Sequence, residues 1–136
     1  MNSKKWLLAG AAVFAAYFLM EFAIHGFLIH PLYIATASVW RAPEYARKLM
    51  PLMMIGQLVF SFVFVFIYAK GYEPMKPGVA QGMRFGFLIG LLTAPLSALV
   101  WYVVLPIPET LAAAWFVTGF IECLVIGAVA GAVYRR

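Results

Sequence analysis

Glu21 and His25 stand one helical turn apart in a run of side chains that is otherwise lipid-soluble, and Glu122 stands alone in a second such run. A charged side chain at membrane depth costs ~2.5–3.5 kcal/mol on insertion scales, so each of these residues marks a candidate site. The chemistry they offer is proton exchange or cation binding. A carboxyl group in low dielectric holds its proton more tightly than in water and can exchange it near neutral pH. Imidazole titrates in the same range and suits an outward relay. Gln57 and Ser97 would add neutral ligands.

Depth supports grouping them. At ~1.5 Å per residue, Glu21 lies roughly 24 Å from Lys5, and Glu122 roughly 20 Å from Arg135. Gln57 counted from Lys70, and Ser97 counted from Arg84, also lie roughly 20 Å away. Four apolar runs thus bring a polar group to nearly one level, a polar layer somewhat outside the midplane. Gln57 with Ser61, Thr93 with Ser97, and Thr118 with Glu122 repeat the one-turn pairing of Glu21 with His25. The same layer admits a structural reading. Glu21 bonded to Gln57 or to a backbone carbonyl would only fix helix register. His25 would rest as an amphipathic ring near the outer interface, and the hydroxyls and Gln57 would serve local packing.

The elements that must position these groups are membrane helices. The chain of 136 residues is 65% hydrophobic and 11% charged, where soluble domains are about 45–50% apolar and about 25% charged. Apolar runs cover 6–29, 51–69, 83–105 and 110–134, each close to the ~20 residues that cross ~30 Å of hydrocarbon. The expected fold is all-α: one integral membrane domain, a four-transmembrane-helix bundle of two antiparallel hairpins. Lys4 and Lys5 before an apolar run resemble a signal peptide, but the run exceeds the usual ~7–15 residues, so a retained first helix is expected.

The net charge of +5 does not point to nucleic acid. With both termini on one side, that side holds Lys4, Lys5, Lys70, Lys76, Arg84, Arg135 and Arg136, against Arg41, Arg47 and Lys48 on the other. This bias places both termini in the cytoplasm. The basic first outer loop is solvated or meets an anionic partner or lipid headgroups. Cys123, the lone cysteine, excludes an internal disulfide and reads as a small buried residue.

Pro31 disfavours helical geometry at His30, ending the first helix near Ile29. In the long connection 30–50, Tyr33 and Trp40 suit the membrane interface. Pro43-Glu44 would open a short helix in which Glu44 pairs with Arg47 or Lys48, and Pro51 would break or kink the chain beyond it. Phe60, Phe62, Phe64 and Phe66 suit lipid contact or groove filling. Gly71, Pro74, Pro77 and Gly78 mark the cytoplasmic loop, and Pro106-Ile107-Pro108 a tight turn. Gly82, Gly86, Gly90, Ala94 and Ala98 form a small-residue stripe on the third helix; Gly119, Cys123, Gly127 and Gly131 form one on the fourth. Such stripes let backbones approach closely, here predicting contact between the third and fourth helices, with contact to another protomer as the rival. A faint repeat relates the halves, through Pro31 and Pro106 and the endings Tyr68 to Lys70 and Tyr134-Arg135.

Other chemistries fit poorly. His25 and His30 lie about 140° apart around a helix and cannot clamp one haem. Di-metal bundles use Glu-x-x-His on paired helices, whereas Glu-x-x-x-His occurs here once. Phosphate loops, nucleophile elbows and zinc-protease motifs are absent. No enzyme activity, cofactor or metal is therefore expected.

Gly82-Met83-Arg84-Phe85-Gly86-Phe87-Leu88-Ile89-Gly90, followed by a helix ending Val125-Ile126-Gly127-Ala128, resembles the second half of small four-helix bacterial membrane proteins with no assigned activity. His30-Pro31-Leu32-Tyr33 to Trp40-Arg41 is loosely similar to their first connection. The resemblance implies four helices and a bacterial cytoplasmic (inner) membrane, and nothing about mechanism. The expected function is passage, or modulation of passage, of a proton, cation or small solute. The alternative is a non-catalytic subunit of a larger respiratory or energy-transducing complex. Expected partners are the lipid bilayer and either copies of the same chain or such a complex.

Overall fold

A computed structural model describes residues 2–134, so Arg135 and Arg136, which entered the charge count and the repeat, lie outside the described residues. The described chain is all-helical apart from its connecting loops, without strands. Helix α1 (Ser3–Ala23) runs into a π-helical turn (Ile24–Leu28), then a short α2 (His30–Ala35) and a 3-10 turn (Ala37–Val39). Beyond these come the long helices α3 (Pro43–Lys70), α4 (Gly78–Val104) and α5 (Glu109–Val133). α1 with its π turn, α3, α4 and α5 are each long and apolar enough to cross a membrane. Helix is the form that satisfies every backbone polar group within one apolar segment.

Local chemistry sets the ends. The Asn2 side chain accepts from the Lys5 backbone N–H at 3.1 Å and caps α1. Pro43 and Glu44 open α3, and Lys70 closes it, each matching its end of the helix dipole. The first helix ends at Leu28, within a residue of the expected Ile29, and Pro31 then sits in the first turn of α2, where its missing N–H costs nothing. One expectation changes here. Pro51 does not separate a short helix from a membrane span, since α3 continues through it. Proline removes one ladder bond, and the neighbouring turns carry the helix past it. α4 likewise starts at Gly78 rather than Met83.

The most extensive pairing is α4 on α5, followed by α1 on α3 and α1 on α5. Glycine makes the first possible. A Cβ built on Gly78, Gly82 or Gly86 would collide with the backbone carbonyl of Gly131, Gly127 or Cys123 respectively. Gly90 lies under the Phe120 ring. The stripes thus meet within one chain. Gly119 is the exception to the expected packing set: its nearest outside neighbour is the Ala94 Cβ, at an ordinary 3.8 Å.

Aromatic rings close one end of the bundle. Phe64 of α3 meets Phe85 of α4 at 4.7 Å between centroids, and Tyr68 meets Phe85 at 5.7 Å. Tyr68 and Tyr134, the endings of the two halves, meet at 6.2 Å. The Tyr68 hydroxyl donates to the Gly78 carbonyl at 3.1 Å. Gln81 holds the adjoining loop, donating to the Glu73 and Lys76 carbonyls and accepting from the Glu73 N–H. At the other end, α3 from Pro43 to Gly56 buries no side chain fully.

Glu73 pairs with Lys76 at 2.5 Å and with Arg84 at 2.8 Å, and these hydrogen bonds hold its carboxyl below the usual glutamate range. A lowered folded-state value means that the pairing supports the loop above the ordinary range and is lost as pH falls through the lowered one. Proteolysis of the 71–77 loop should therefore quicken on acidification in the wild type. In Glu73→Gln it should be quick at neutral pH and nearly flat with pH.

Candidate functional site

The open half of the bundle holds a cavity of about 460 Å³. α1 contributes Tyr17 and Glu21 to its wall, the π turn His25, α4 Thr93, Ser97 and Trp101, and α5 Trp115, Thr118, Gly119, Glu122 and Cys123. Phe60 is the residue that α3 supplies. Four of the five expected polar residues, Glu21, His25, Ser97 and Glu122, therefore share one space. Gln57 does not line it. Gln57 is buried on α3, its Oε1 has no partner among the described residues, and its carbonyl accepts the Ser61 hydroxyl at 2.7 Å. The expected link from Glu21 to Gln57 is absent among the described residues.

Glu122 is 3% exposed and shares the cavity wall with Glu21, close enough across the α1–α5 contact for the two carboxyls to influence each other. Its Oε1 is fully buried without a hydrogen-bond partner. Two facing carboxyl groups need a proton or a cation between them, because an unpaired buried charge is costly. Tyr17, one turn before Glu21, lines the same cavity.

From Glu21 the polar contacts lead outward. Its Oε2 lies 3.6 Å from His25 Nε2, ion-pair range but longer than a hydrogen bond. His25 Nδ1 meets the Tyr33 hydroxyl at 2.5 Å, and Trp115 Nε1 donates to that hydroxyl at 2.7 Å. An indole N–H can only donate, so the Tyr33 oxygen accepts from Trp115. Among the described residues, Nδ1 is then the acceptor left for the Tyr33 proton. With Nδ1 accepting from Tyr33, a neutral His25 carries its proton on Nε2, facing Glu21. Side-chain exposures of 21% for Glu21 and 33% for His25, against buried Glu122, give the series a direction from interior to rim.

The π-helical turn makes this meeting possible. The Ile29 N–H reaches the Ile24 carbonyl at 2.9 Å, one residue further back than in an α-helix. The break after it turns α2 so that Tyr33 folds over His25, with Trp40 and Trp115 packed on its ring. Tyr33 is thus part of the site and not merely an interfacial ring.

The hydroxyls are satisfied locally. Thr93 and Thr118 each donate to the carbonyl four residues back at 2.8 Å, as mid-helix threonines do. Cys123 is free and buried, with the Thr93 hydroxyl at 3.9 Å from its sulfur. His30 is exposed and does not join His25 in the site. No group of three or more metal-binding side chains occurs among the described residues.

Compared with protein-family models, curated proteins and solved structures, the chain matches none. Its function is therefore argued from this site.

In the wild type, the nitrogen chemical shifts of neutral His25 should report the Nε2–H form alone. Tyr33→Phe removes the donor to Nδ1, and a mixture of the two tautomers should appear. Identical spectra would remove Tyr33 from the series.

Proposed function

We propose that this chain is a non-enzymic membrane protein that passes a proton, a cation or a small cationic solute through its intramembrane cavity. The observation that carries the reading is the Glu21–Glu122 pair: two carboxyl groups on one cavity wall, one oxygen buried without a partner, at the inner end of a polar series reaching Tyr33. A purely structural carboxyl pair would be satisfied by surrounding donors. Here the gap is left where a mobile positive charge fits.

The proposed setting is a bacterial cytoplasmic membrane with antiparallel helical hairpins and both termini inside. The pairing of Gly78, Gly82 and Gly86 with Gly131, Gly127 and Cys123 supports the second hairpin. The bias of lysine and arginine toward that end supports the orientation. In this setting the cavity faces outward, and the Phe64, Phe85 and Tyr68 rings close it toward the cytoplasm. Passage then requires those rings to part, as a gate between two states.

Reconstituted in liposomes under a pH gradient, the wild type should dissipate the gradient faster than empty vesicles. Glu21→Gln and Glu122→Gln should each lower that rate to the background, while Gln57→Ala, outside the cavity, should retain it. Wild-type flux surviving both glutamate variants would end this reading. A second reading, a non-catalytic subunit of a larger respiratory or energy-transducing complex, is favoured by the uncovered half of α3. Outside its own helix nothing lies within 4 Å of a Cβ built on Gly56 there, and Leu52, Met53 and Val59 beside it are exposed, leaving an apolar surface open to another helix. Isolation of the chain as a stable monomer with full flux would count against it.

A further inference from the structure

The cavity is far larger than a proton or a bare ion requires. Its volume of about 460 Å³ falls within the ~300–1,000 Å³ of small-molecule sites. We infer that it binds an organic cation: one ammonium group seated against Glu21 and Glu122, with its apolar substituents on the aromatic wall. This rests on the reading of the carboxyl pair as an exchangeable site and names its substrate class.

Three features of the wall select such a ligand. The first is charge. No lysine or arginine lines the cavity, so the carboxyl pair has no fixed positive partner beyond the ionisable His25. An anion would be repelled, and a neutral apolar molecule would leave Glu122 Oε1 unpartnered. The second is the aromatic wall, with Tyr17, Phe60, Trp101 and Trp115 presenting rings around the same space as the carboxyls. Aromatic faces attract cations, indole most strongly, and the attraction grows when water is excluded. The third is the absence of a metal-binding cluster among the described residues, which leaves a bare metal ion short of donors. Carboxyl pair, aromatic walls and volume together suit a cation that carries its own apolar shell.

The charge balance predicts exchange. With one proton on the pair, the site holds one carboxylic acid and one carboxylate. Binding an ammonium ion displaces that proton, leaving two carboxylates and the cation. One positive charge enters and one leaves, the proton passing to water at the mouth of the cavity.

The test uses tetraethylammonium, which has charge and apolar bulk but no hydrogen-bond donor, added to the full chain in nanodiscs. Tryptophan fluorescence should change saturably, with about one proton released per ligand bound in weak buffer. The uncharged isostere 3,3-diethylpentane should give neither signal. Glu122→Gln should weaken binding by about 100-fold or more, and Trp101→Ala, at a half-exposed position whose loss leaves the fold intact, by about 10-fold. Equal binding of the isostere, no saturable change, or unaltered affinity in both variants would overturn the inference. If tetraethylammonium is silent while Glu122→Gln still abolishes proton flux, the substrate class alone is overturned. If flux is also indifferent to Glu122→Gln, the reading beneath it falls too.

Discussion

Gly82→Leu is expected to destabilise the bundle by about 3 kcal/mol and to separate α4 from α5. A Cβ at this position would lie inside the Gly127 carbonyl, and a backbone carbonyl cannot rotate aside as a side chain can. The helices must part, and the neighbouring close approaches at Gly78 and Gly86 are lost with them. In lipid no hydrophobic force between helices compensates, since association rests on close packing. Gly56→Leu is the control: its position is open, and the change should stay within about 0.5 kcal/mol. Gly119→Ala should be tolerated nearly as well, because its nearest neighbour stands at 3.8 Å. Reversible unfolding in mixed detergent measures all three. A Gly82→Leu protein as stable as Gly56→Leu would show that the α4–α5 contact does not hold the fold.

Glu122→Met is expected to act in the opposite sense on stability while abolishing flux. The native side chain buries a carboxyl oxygen with no partner. Replacing it with an apolar side chain of similar length removes that penalty, for a gain of roughly 1–3 kcal/mol. Glu21 keeps His25 Nε2 at 3.6 Å and remains partly exposed, so it is not stranded by the change. A residue that weakens the fold and whose loss removes passage is retained for function. If Glu122→Met destabilised the protein by several kcal/mol, the carboxyl would instead be a structural link between α1 and α5.

The sequence makes the spans legible because apolar runs near twenty residues have few other uses. It hides their true ends. The charges from Glu44 to Lys48 and Pro51 interrupt the hydropathy of α3, yet the backbone ladder continues through both. Depth counting finds the height of Glu21, Ser97 and Glu122 and so gathers most of the site. It gives no direction around the helix, which is why Gln57, at the same height, faces away from the cavity. Tyr17 was within reach, standing four residues before Glu21 as His25 stands four after it. Trp115 lies seven residues before Glu122, again on one face. Tyr33 was not within reach, because a π-helical turn and a break at Ile29 bring it back over His25. Neither has a periodic signature.

The central claim is that Glu21 and Glu122 hold one exchangeable positive charge. Infrared difference spectroscopy of the full chain in lipid, recorded across a pH jump and after transfer to deuterated buffer, tests it most directly. A carboxylic C=O band that responds to pH, shifts on deuteration and vanishes in Glu122→Gln is the expected result. A band indifferent to pH and deuteration, or one unchanged in Glu122→Gln, would contradict the account.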